Sequence, residues 1–142
     1  MRAAAALLLP FLGLAYRSDR QAPQRKWVLA HYMLSHAAFG FNHTAYAMEI
    51  SVAHDHGVDG FGLEVLGTQP YYASNIKTMY EACEGYNAAL PKGKSPFRLF
   101  PIINFCCSLN CSDAVDLFTK YHNASCALHL QERPVFCKYC SS

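Results

Sequence analysis

The chain has 142 residues, enough for one domain, and 52% of them are hydrophobic while only 15% are charged; that balance belongs to a packed core and excludes a disordered chain. The formal charge is +2, and the basic residues are scattered: Arg17, Arg20, Arg25 and Lys26, then Lys92, Lys94 and Arg98. With no basic stripe along any one element, a nucleic-acid partner is not expected.

Residues 1–15 carry Arg2, then an apolar run from Ala3 to Ala15 broken at Pro10, with small residues at Gly13 and Ala15. This is the pattern of a secretory signal peptide. The run is short for a bilayer span, which needs about 20 apolar residues; an uncleaved N-terminal anchor is the alternative. Seven cysteines (Cys83, Cys106, Cys107, Cys111, Cys126, Cys137 and Cys140) and three Asn-X-Ser/Thr sequons at Asn42, Asn110 and Asn123 fit an oxidising, glycosylating route. The expectation is a secreted, extracellular protein without a membrane span once the signal is removed.

Residues 16–26 are polar with one proline and read as a linker, leaving 27–142 as the folded domain. Trp27 to Met33 is nearly continuously apolar and predicts a strand covered on both faces, as in a parallel sheet. A helix follows from about Ala45 to His56. Thr44 is its expected N-cap, Tyr46, Ile50 and Ala53 lie on one face, and Gly57 ends it. Asp59 to Val65 is the second strand. The second helix spans about Tyr72 to Ala89, with Ile76, Met79, Tyr80 and Cys83 at i, i+3, i+4 and i+7. Phe97 to Ile103 is the third strand, in which Pro101 cannot donate to a ladder and predicts a bulge or early end. A third helix begins near Ser112, capped by Ser112 or Asp113, with Ala114, Leu117, Phe118 and Tyr121 on one face. Pro134 to Cys137 is the last strand.

Strand and helix alternate throughout. The pattern predicts an α/β fold of about four parallel strands and three crossover helices. It suits a small open sheet or an incomplete (β/α)8 TIM-type barrel, a full barrel needing about 250 residues.

Several stretches resemble glycoside hydrolase family 71, the α-1,3-glucanases called mutanases. Val28-Leu29-Ala30-His31-Tyr32-Met33 is similar to the family's first strand. Glu49-Ile50, three residues on to His54-Asp55-His56-Gly57-Val58-Asp59-Gly60-Phe61-Gly62-Leu63, is similar to its first helix and second strand. Met79-Tyr80-Glu81-Ala82, Phe97-Arg98-Leu99-Phe100 and Arg133-Pro134-Val135 resemble later segments, in the right order. The resemblance implies a (β/α)8 barrel that hydrolyses α-1,3-glucan with inversion, using two carboxyl groups about 6.5–9.5 Å apart at the C-terminal ends of strands.

The departures from the family pattern bear on activity. The family's Asp-and-Glu pair lies beyond the fourth strand and outside this chain, so neither residue carries over. The second strand ends in Leu63-Glu64 where the family has Leu-Asn, and the third ends in Asn104 where it has Asp. An amide cannot act as acid or base. This chain alone is therefore expected to be inactive.

Glu64 is the one carboxylate at a strand's C-terminal end and the candidate for sugar binding or acid/base chemistry; a solvated loop-edge carboxylate is the plain reading. His31, Tyr32, Glu64 and Asn104 are the candidate substrate-binding residues, and Tyr32, Tyr71, Tyr72 and Phe105 could form an aromatic sugar platform. Asp59, at the opposite end of its strand, reads as structural. His54 and His56, two apart on a helix, diverge and cannot share a metal. No metal or cofactor is expected.

Cys106 and Cys107 follow the third strand, and Cys137 and Cys140 end and follow the fourth. Neighbouring strands lie about 4.8 Å apart, within the Cα range of about 4.4–6.8 Å for a disulfide, so these four are the candidates for a bridge. Cys111 and Cys126 flank a helix about 18 Å long and should not pair unless the following loop folds back. A half-barrel also exposes strand edges, and self-association or a covering partner is expected. The competing reading is a non-catalytic carbohydrate-binding module or a cysteine-rich secreted interaction protein.

Overall fold

The computed structural model describes residues 26–67, 69–105 and 109–139. The expected signal peptide and nearly all of the linker lie outside these residues. Four strands make one parallel sheet: β1 (Leu29–Met33), β2 (Gly60–Val65), β3 (Arg98–Asn104) and β6 (Cys137–Tyr139), side by side in that order. Helices α1 (His43–Asp55), α2 (Pro70–Ala88) and α3 (Cys111–Tyr121) connect them. No helix of the described residues is long and apolar enough to cross a membrane.

The two faces of the sheet differ. Phe61, Leu63 and Val65 of β2 and Leu99 and Ile103 of β3 point one way and form a single buried cluster with Tyr46 and Ile50 of α1, Ile76 and Met79 of α2, and Ala114 and Tyr121 of α3. All three helices therefore cover the same face. The other face carries the alternate residues: Leu29, His31 and Met33, then Gly60, Gly62 and Glu64, then Phe100, Ile102 and Asn104. A Cβ on Gly62 would meet Ile102 Cδ1 at 2.5 Å and Phe100 Cζ at 2.7 Å, so the bare glycine lets these two side chains lie across the central strand.

Local chemistry sets the helix ends, and in three places it corrects the sequence expectation. The N-cap of α1 is Asn42, not Thr44: Asn42 has extended backbone, and its Oδ1 accepts from Ala45 N at 3.0 Å. The N-cap of α3 is Asn110, not Ser112 or Asp113. It forms a capping box in which Asp113 N donates to Asn110 Oδ1 and Asn110 N donates to Asp113 Oδ2, each at 3.0 Å. α2 starts at Pro70, two residues early, because proline fits the first turn, where its missing N–H costs nothing. Gly57 ends α1 with φ +85°, as its position suggested.

Pro101 neither bulges nor shortens its strand; β3 runs through it, paired with Leu63. Arg98 N donates to Asp59 O on the β2 side, whereas Leu99 N donates to Cys126 O on the opposite side. Pro101, two residues beyond Leu99, shares its orientation. Its missing N–H falls between the Leu99–Ala127 bridge and the first β6 pair at Ile102, where no ladder bond is required.

The last strand is also displaced. His129–Leu130 (β4) and Arg133–Pro134 (β5) form a small antiparallel hairpin, and only Cys137–Tyr139 joins the main sheet. Its turn places Gln131 at φ 51° and Glu132 at φ 62°, the left-handed pair that a two-residue hairpin turn requires.

Candidate functional site

Glu64 sits near the end of the central strand, between Met33 of β1 and Ile102 of β3, and is 6% exposed. A buried carboxylate is costly unless its oxygens receive hydrogen bonds, and both do. Asn104 Nδ2 donates to Glu64 Oε1 at 3.0 Å, and His31 Nε2 lies 3.1 Å from Glu64 Oε2. The register explains the meeting. His31 pairs with Gly62, two residues before Glu64, and Asn104 stands two residues beyond Ile102, the partner of Glu64. All three therefore share the face opposite the three helices.

The His31 side chain is 53% exposed, so one flank of the cluster opens to solvent rather than lying in the core. A carboxylate, an imidazole and an amide together offer donors and acceptors suited to the hydroxyl groups of a sugar. Proton transfer between two carboxyl groups is a different matter. Among the described residues, Glu64 is the one carboxylate on this face.

Beside the cluster, the loop after β1 meets the start of α2. Ser35, Phe41, Tyr71 and Asn75 line a cavity of about 390 Å³, within the usual size of ligand clefts. Asn75 Nδ2 donates to Leu34 O at 3.3 Å and holds the loop to the helix. Tyr71 is half exposed, with its ring 4.4 Å from that of Tyr72. Burial pushes the Tyr72 phenol up to about 12; its hydrogen bond with Tyr71 adds to the rise, Ser35 opposes it, and the Glu64 charge contributes further.

The four candidate binding residues do not all converge. His31, Glu64 and Asn104 do. Tyr32 lies on the opposite face, beneath α1, with its ring 4.9 Å from Phe61 and 6.4 Å from Tyr46. Of the aromatic candidates, Tyr71 borders the cavity, Tyr72 is buried behind it, and Phe105 lies near the end of β3 with Lys138 Nζ 5.3 Å from its ring centre.

The hydroxyl of Tyr32 donates to Glu49 Oε2, and Phe39 N donates to Glu49 Oε1 at 3.0 Å. Glu49 thereby ties β1, the following loop and α1 together. The sequence carried a signal for it: Glu49 lies at helical spacing between Tyr46 and Ala53 and next to Ile50, a carboxylate on an apolar face.

Asp59 does at the other end of the strands what its position suggested. Val28 N donates to its Oδ2 at 3.0 Å, its own N–H donates to Val28 O, and its carbonyl accepts from Arg98 N, so it clamps the starts of β1, β2 and β3. His54 and His56 go separate ways: His54 Nδ1 is 2.9 Å from the Tyr86 hydroxyl, and His56 Nδ1 is 2.7 Å from Val52 O. No group of three metal-ligating side chains occurs among the described residues.

Of the candidate bridge cysteines, Cys106, Cys107 and Cys140 lie outside the described residues. Cys137 starts β6, opposite Ile102, with an exposed free thiol. The three sequon asparagines are exposed, and Asn42 and Asn110 use their side-chain carbonyls as helix caps.

No curated protein and no solved structure matches the chain. Residues 24–142 match glycosyl hydrolase family 71. That stretch takes in the whole sheet, its three helices and the His31–Glu64–Asn104 cluster, and this chain belongs to glycosyl hydrolase family 71.

Proposed function

We propose that the chain is a secreted α-1,3-glucan-binding half-barrel that holds the polysaccharide at the C-terminal rim of its strands and does not cleave it alone. One observation carries the reading: Glu64 is buried between Asn104 and a half-exposed His31, on a face where the described residues supply no second carboxylate. An inverting glycosidase needs two, about 6.5–9.5 Å apart. Binding needs only the hydrogen bonds and the neighbouring aromatic surface.

The consecutive strand order with every helix on one face supports the first half of a (β/α)8 barrel. A doubly wound sheet would reverse its order and place helices on both faces. The face opposite the helices fits the same reading, since Leu29 and Met33 are 38% and 40% exposed and, among the described residues, β1 pairs on one edge only. Such a surface favours self-association or a partner that completes the barrel. The apolar N-terminal run, the cysteines and the exposed sequons support secretion with glycans at Asn42, Asn110 and Asn123.

The test is co-sedimentation with insoluble α-1,3-glucan beside a reducing-sugar assay. Retention on the pellet without sugar release is expected, with the chain larger than a monomer by light scattering. Sugar release overturns the non-catalytic part, and absence of retention overturns glucan binding. A monodisperse, heat-stable monomer overturns the open half-barrel.

A further inference from the structure

We infer that Cys83 and Cys126 form a disulfide that joins α2 to the segment between α3 and β4. Both side chains are fully buried and carry free thiols in this structure, and Cys126 packs against the turn of α2 that carries Cys83. Neither position is accidental. Cys83 Sγ points at Phe97 O, 3.6 Å away, just before β3, and Cys126 Sγ points at Tyr80 O, 3.8 Å away, one turn before Cys83 on the same helix. The Cys126 backbone is fixed as well, because Leu99 N donates to Cys126 O at 2.9 Å and Leu128 N donates to Leu99 O at 2.8 Å.

The chemistry of the pair narrows its role. A reactive thiol needs a lowered pKa and access to solvent. The Cys83 thiol is instead pushed up, first by its contact with Cys126 and then by burial. A structural zinc site needs four ligands, and no group of even three occurs among the described residues. Two side-by-side thiols held by separate elements remain, in a chain with seven cysteines. The spacing argument that kept Cys126 from Cys111 leaves Cys83 as a partner, because the loop after α3 brings Cys126 back against α2.

The bridge forms by oxidation of two thiols: the S–S bond is made, two protons and two electrons leave, and an oxidant of the disulfide class such as glutathione disulfide is reduced to two thiols. Attack requires a thiolate, so the reaction belongs to folding, before burial suppresses ionisation and access. Afterwards the same burial protects the bond from reductants. The pair lies at the N-terminal end of the strands, near Asp59 and Phe97 and away from Glu64, which is the end of a barrel that carries stability. The inference does not depend on glucan binding.

The full chain is folded in a glutathione redox buffer, alkylated in denaturant without reduction, and mapped by peptide mass spectrometry. A peptide pair joining Cys83 to Cys126, lighter by two hydrogens than the two thiols, is expected. Folding under reducing conditions should lower the melting temperature by on the order of 10 °C, and the Cys83→Ala/Cys126→Ala variant should show a smaller difference between the two buffers. Alkylation of both cysteines in the oxidised sample, or a link from Cys126 to Cys111, overturns the inference. The peptide map of the unaltered chain decides the matter even where the double variant does not fold.

Discussion

Glu49 and Glu64 are both buried carboxylates, 8% and 6% exposed, and each has both oxygens occupied. They lie on opposite faces of the sheet and do different work. The donors to Glu49 are a phenol trapped beneath α1 and a backbone N–H, neither of which can turn to another partner. The donors to Glu64 are two side chains, one of them half exposed, that in the proposed function trade a carboxylate for a sugar hydroxyl. Burial of charge alone therefore does not mark a binding site. What marks it is whether the groups satisfying the charge can exchange partners without unfolding anything.

The sharpest way to break this contrast is to remove each carboxylate in turn. Glu49→Ala leaves the Tyr32 hydroxyl and Phe39 N–H without their acceptor and should cost about 2–5 kcal/mol, read as a fall in the urea midpoint. Glucan retention by the folded fraction should stay unchanged. Glu64→Gln keeps the shape and one acceptor oxygen, so stability should move by less than about 1 kcal/mol, while glucan retention weakens about tenfold. If Glu64→Gln unfolds the protein and Glu49→Ala does not, the assignment of roles is reversed.

What the sequence showed follows the same division. Gly57, the strand at Asp59–Val65 and Glu64 at its end were legible because glycine stops a helix and consecutive parallel strands fix which ends align. His31 and Asn104 followed from those ends. Tyr32 was not legible as a residue of the opposite face. Its strand is apolar at nearly every position and has no alternation to read. The hairpin at His129–Pro134 was hidden because Gln131 and Glu132 take left-handed conformations usually held by Asn-Gly. The approach of Cys126 to the turn of α2 that carries Cys83 joins two elements, and no local pattern announces it. The cap at Asn42 was hidden because Thr44 is of a capping type as well, and only the backbone shows which residue serves.

Alkaline titration separates the two faces further. Tyr46 is pushed up to about 12, by burial first and then by the Glu49 charge. Tyr32 rises as well, by burial and then by its hydrogen bond to Glu49. Phenols in the unfolded chain ionise near 10. Below that pH both states are neutral and stability is complete. As the pH rises from about 10 to 12 the unfolded chain gains charge that the folded one resists, so stability falls across that window. Phenolate absorbance in Glu49→Ala should show Tyr46 ionising earlier, whereas Glu64→Gln should leave it in place. Equal effects of the two variants would remove the distinction between the faces.

The smallest expected effect belongs to Tyr46 itself. Its ring is fully buried, but its hydroxyl has no hydrogen-bond partner among the described residues. Tyr32, one layer away, gives its hydroxyl to Glu49. A buried polar group without a partner carries a desolvation cost that folding does not recover. Tyr46→Phe should therefore be neutral or stabilise the protein by up to about 1 kcal/mol, measured as the urea midpoint beside the unaltered chain. A clear loss of stability would mean that the Tyr46 hydroxyl has a partner on the Glu49 side, and that the buried network there extends beyond Tyr32 and Phe39.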